Sequence, residues 1–108
     1  MILLPPPQYD VSPPMPVIEQ VLSWDEVQKA CNAGRYFRDH NLNQASGAGL
    51  LGCAKTGVVW DVALKQFAPG NGCVIVYTGS ANVRRHELAH CNGWPADHPG
   101  GFYRFNEP

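Results

Sequence analysis

His86 and His90 stand four residues apart with Glu87 directly after the first, and His98 follows eight residues after the second. On an α-helix, positions i and i+4 share one face about one turn apart, so two imidazoles at this spacing can grip a single metal ion. The intervening carboxylate then projects beside the metal. There it can take a proton from a zinc-bound water without being a ligand, the arrangement metal-assisted hydrolysis requires. The competing reading is a helix that carries two surface histidines.

The helix itself is legible. Ser80 or Asn82 can cap its start, it runs through Arg84 to about Asn92, Gly93 supplies a left-handed C-terminal cap, and Pro95 forbids continuation. Upstream, residues 17–22 are short, β-branched and partly alternating, which predicts a strand. Ser23 and Glu26 form a capping box, and Trp24, Val27, Ala30 and Cys31 recur on one helical face, so a helix is expected over 24–32, closed near Gly34. Residues 35–49 are polar and glycine-containing and predict no regular element. Apolar segments 50–55, 58–64 and 73–78 read as strands, divided by Gly57 and by a turn at Pro69-Gly70-Asn71-Gly72. The expected class is α+β: a short antiparallel or mixed sheet, an N-terminal helix and an active-site helix.

Residues 1–16 hold six of the ten prolines, which excludes a regular helix or a central strand and leaves a Pro-rich arm or linker. Either it is a tail or it packs along the domain formed by residues 17–108. With 108 residues and 44% hydrophobic content, one core is expected. A net charge of -1 without a basic stripe argues against nucleic acid as a partner. No apolar run reaches the roughly 20 residues that span a bilayer, and no secretory signal pattern is visible.

Cys31, Cys53, Cys73 and Cys91 are even in number and contain no CxxC pair. Two disulfides in a secreted or periplasmic protein are expected, with three pairings open. Cys91, adjacent to His90, points about 100° away around a helix and is expected in a disulfide or the core rather than on the metal.

His86-Glu87-Leu88-Ala89-His90 followed by Cys91-Asn92-Gly93 resembles the zincin metallopeptidases, especially the HExxHxxG form of the metzincins. The resemblance covers about 13 residues. It implies a minimal zincin-like fold, a Zn2+ cofactor, and a peptide or protein substrate paired by strand addition to segment 73–78 or a neighbouring strand. It also implies a donor for the oxyanion, for which Tyr103 is the first candidate, with Arg104 and Tyr77 behind it. The alternative for Tyr103 is an aromatic C-terminal segment packed on the core with Phe102 and Phe105.

Departures from that family narrow the third ligand. The metzincin position is Ala96, the only methionines are Met1 and Met15, so no Met-turn follows, and the only later glutamate is Glu107. His98, Asp97 and Glu107 remain. His98 is favoured, because imidazole suits zinc and Pro95 and Pro99 stiffen the connection. Asp97 stands as an alternative ligand or as a partner to His98. His40 is read as a solvated loop side chain.

The resulting expectation is a zinc metalloendopeptidase with Glu87 as general base. A peptide-deformylase likeness rests on Gly52-Cys53 and Gly72-Cys73 and would need a free thiolate; the Asp97-His98 ending is similar to bacterial zinc endoribonucleases, which lack the glutamate. The non-enzymatic alternative is a zinc-stabilised binding module of an exported or envelope assembly.

Overall fold

A computed structural model describes residues 2–32, 43–44 and 51–104. The elements run β1 (Ile2–Leu4), β2 (Val17–Val21), α1 (Trp24–Asn32), β3 (Asn43–Gln44), β4 (Gly52–Asp61), β5 (Gln66–Tyr77), α2 (Ala81–Cys91) and β6 (Phe102–Arg104). The class is α+β. His40, Gly34, Phe105 and Glu107 lie outside the described residues.

Four strands form a mixed sheet in the order β2-β5-β4-β3, with β2 parallel to β5 and the other neighbours antiparallel. Cys73 to Tyr77 on β5 are all buried, because both faces of this strand are covered. Cys73, Ile75 and Tyr77 join Ala54, Val83, Cys91, Ile2 and Leu4 on one face, whereas Val74 and Val76 join Cys53, Val27, Ala30 and Cys31 on the other. The two helices therefore cover opposite faces, α2 with the arm on one and α1 on the other.

The central place of β5 corrects one expectation. Both of its edges are paired over residues 73–77, so this segment cannot accept an added peptide strand; among the described residues the edges are β2 and β3.

The hairpin corrects another. β4 passes through Gly57 (φ 78°) with an irregularity between Thr56 and Val58, and β5 passes through Pro69 to Gly72 without turning. The chain reverses at residues 62–65 instead, where Asp61 Oδ1 accepts the Leu64 amide at 3.0 Å and Lys65 takes φ 53°. Proline is tolerated there because this part of β5 has β4 on one side only. The glycines serve close approach rather than a turn: a Cβ on Gly70 would lie 2.7 Å from Val59 Cγ2, and one on Gly72 would strike the Val58 carbonyl.

In α1 the capping box forms as expected, Ser23 Oγ accepting the Glu26 amide at 3.2 Å and Glu26 Oε1 accepting the Ser23 hydroxyl at 2.9 Å. Val27, Ala30 and Cys31 face the sheet, but Trp24 at the first helical position is 53% exposed and does not join that face. Cys31–Cys53 ties α1 to β4, and Cys73–Cys91 ties β5 to α2. Each helix is thus stapled to the strand beneath it.

The N-terminal arm is built into the molecule. β1 pairs antiparallel with β6, Leu4 is fully buried, and Pro5 and Pro6 are buried beside it. Proline ends the ladder after three residues, as a missing amide donor demands.

Candidate metal centre

Ser80 Oγ accepts the Val83 amide at 3.4 Å and starts α2, while Gly93 at φ 93° closes it. His86 and His90 lie one turn apart on the buried face, each 1% exposed. After the helix the Trp94 amide bonds back to the Ala89 carbonyl at 3.0 Å, and the His98 amide to the Pro95 carbonyl at 2.9 Å. These turns carry His98 over the helix. His98 takes φ 57°, a conformation costing about 1 kcal/mol for a non-glycine residue.

The three rings meet through one nitrogen each. Nε2 of His90 lies 3.2 Å from Nε2 of His86 and 3.2 Å from Nε2 of His98, and the ligand atoms of all three lie within 4.8 Å of one another. Tetrahedral zinc at about 2.0–2.1 Å from each nitrogen would place neighbouring ligands about 3.3 Å apart, so the two separations made by His90 suit such an ion.

The opposite edges of the rings fix the tautomers. Nδ1 of His86 donates to the Leu3 carbonyl at 2.6 Å, and Nδ1 of His90 donates to the Trp94 carbonyl at 2.7 Å. With Nδ1 protonated, both Nε2 atoms present lone pairs and cannot donate to each other. Burial pushes both rings down to about 4, against the opposing pull of those carbonyls, and burial also lowers His98, with Asp97 opposing it. The imidazoles are therefore neutral at neutral pH, the state a metal ligand needs.

Trp94 forms the floor. It is 1% exposed, stacks on His90 at 5.2 Å and meets His86 and His98 edge-on, and its Nε1 is held by the Pro99 carbonyl at 3.0 Å.

Glu87 is fully buried, and neither carboxylate oxygen has a hydrogen-bond partner among the described residues. Its carboxyl lies against Gly52 on β4. Burial pushes its pKa well above the usual carboxylate range.

The other residues singled out from the sequence stand apart. Asp97 is exposed and outside the cluster. Tyr103 is 65% exposed on β6, opposite Leu3 in the ladder. Tyr77 donates its hydroxyl to Glu19 Oε1 at 2.8 Å, in a network with Arg84, so that hydroxyl is engaged away from the histidines. Of Arg104 only the backbone is described. Among the described residues no cysteine is free, which removes the thiolate that a deformylase-like site needs.

Sequence reasoning missed Leu3, Trp94 and Gly52. Leu3 acts through its main chain and left no side-chain signal; Trp94, inside the motif segment, offered its aromatic type beside a turn.

Comparison with family models, with curated proteins and with solved structures finds no match to this chain. What fold and site define is a disulfide-bonded α+β domain with a three-histidine cluster able to hold a metal ion.

Proposed function

We propose that this domain is a zinc-dependent peptide-bond hydrolase, with zinc held by His86, His90 and His98. One observation carries the reading: three neutral imidazoles converge through Nε2, and the residue that follows His86 in sequence is a fully buried carboxylate with no partner among the described residues. An all-nitrogen set of three neutral ligands suits zinc and keeps a fourth position open. Zinc, when bound, would supply a Lewis acid that acidifies a water and polarises a carbonyl.

The chain's own residues do the rest. Glu87, in its ionised form, takes a proton from the attacking water and passes it to the leaving amine. Its orphaned oxygens leave a buried polar group at a cost of a few kcal/mol, the kind of cost a functional group carries. The Leu3 and Trp94 carbonyls hold the rings in the required tautomer. Of the two sheet edges, β3 is the one next to the strand that carries Gly52, so an extended peptide paired there runs nearer Glu87. The two disulfides suit an oxidising compartment, which supports a secreted or periplasmic location.

Complete enclosure of Glu87 favours a second reading, a zinc-stabilised binding module without catalysis. The deciding experiment is metal analysis with cleavage of an unstructured peptide mixture by wild type and Glu87→Gln. Hydrolysis lost in Glu87→Gln with zinc retained supports the enzyme. Zinc uptake without wild-type cleavage supports the module, and no zinc uptake removes both.

A further inference from the structure

One turn and two turns along α2 from each other, Arg85, Leu88 and Asn92 form a stripe separate from the histidine face. The N-terminal arm lies on this stripe. Asn92 Nδ2 donates to the Tyr9 carbonyl at 3.0 Å and to the Val11 carbonyl at 2.7 Å, and Arg85 forks onto Asp10 with its closest contact at 2.7 Å. Residues 9–11 are therefore held at both ends of the stripe.

From that anchor the arm reaches the metal centre by two routes. Leu3 gives its carbonyl to His86. Through the β1–β6 ladder the same strand holds the segment that follows His98, and the Gly101 amide bonds the His98 carbonyl at 3.2 Å. Contacts are close enough to exclude side chains: a Cβ on Gly101 would lie 3.0 Å from Leu3 Cδ1, and one on Gly100 3.2 Å from Pro6 Cγ. Two of the three imidazoles thus take their placement from a segment more than 80 residues away.

We propose that Asn92 and Arg85 are positioning residues of the metal centre, acting through the docked N-terminal arm, so that arm docking and metal binding are coupled. The inference rests on the reading that the histidines hold zinc. Coupling of this kind is reciprocal: a docked arm raises zinc affinity, and bound zinc tightens the arm. Asn92 takes φ -87° and ψ 5°, outside the left-handed region, so alanine there removes the side-chain bonds without a positive-φ penalty.

The test uses the full chain, zinc alone as ligand, chelator competition for affinity, and the ligand-field spectrum of the cobalt-substituted protein. Asn92→Ala is expected to weaken zinc about tenfold or more, the range for removing a group that orients a ligand, and to alter the cobalt spectrum. Hydrogen exchange of residues 2–12 should slow when zinc is added. Arg85→Asp should weaken zinc, and adding Asp10→Arg should restore it, a repair that a merely structural role does not give and that stays readable if Asn92→Ala misfolds. Unchanged affinity in these variants, or no repair by the swapped pair, overturns the coupling while zinc binding by wild type stands. A wild type that takes up no zinc overturns the metal reading itself, and is seen before any variant is made.

Discussion

Gly52 and Glu87 are fitted to one another: a Cβ on Gly52 would stand 3.1 Å from Glu87 Oε2 and 2.7 Å from the Val76 carbonyl. The first contact is with a side chain that has little room to retreat, and the second is with the backbone of the central strand. Gly52→Ala is therefore expected to destabilise the domain by about 1–3 kcal/mol through overpacking. Thermal unfolding measures it, and an unchanged midpoint would refute the fit.

Enclosure of Glu87 also sets a pH trend for the metal-free protein. Its folded pKa is raised, so above the ordinary carboxylate range the unfolded chain has lost a proton that the folded chain keeps. Stability from this group is full below the unfolded value and falls as pH rises toward the folded one. Glu87→Gln should remove that slope, and urea unfolding at about pH 5 and about pH 8 should show the variant gaining more on wild type at the higher pH. Parallel profiles would count against a buried, unpaired carboxylate.

His86 and His90 produce the opposite trend. Their folded values are about 4, below the ordinary 6.5, so the unfolded chain binds more protons between those limits. Stability from them is full above 6.5 and is lost as pH falls toward 4, with a slope of up to about 1.4 kcal/mol per pH unit for each ring. Acid titration of metal-free His86→Ala should show a shallower loss than wild type; an identical slope would mean the ring titrates as if exposed.

The histidine cluster was largely legible because its members are local in sequence. Ser80, the HExxH spacing and Gly93 follow from helix geometry, and His98 reaches the rings through a turn its own neighbours specify. What escaped were relationships set by tertiary contact. Pro69 to Gly72 carry every mark of a turn, yet Val59 and the Val58 carbonyl press on Gly70 and Gly72 and leave an extended strand as the conformation that fits. Residues 73–78 look alike as an edge or as a centre; only the pairing of β2 decides. The Leu3 carbonyl is common to every residue type, so no letter announces its partner.

Third-ligand variants separate the two neighbours in the turn. His98→Ala should weaken zinc by at least about tenfold, whereas Asp97→Ala, which removes an exposed carboxylate outside the cluster, should stay within about threefold. Chelator competition provides the comparison. A loss confined to Asp97→Ala would move the ligand assignment to Asp97.

A main-chain oxygen at Leu3 imposes a rule on length rather than on letter. Its neighbours in sequence can be exchanged for others of similar bulk without moving that oxygen, but one residue inserted between Leu3 and the Asn92 anchor would slide the strand and turn the next carbonyl to the opposite side of the β1–β6 ladder. Insertions and deletions in this short stretch should therefore be far less tolerated than substitutions, a pattern opposite to that of most surface arms.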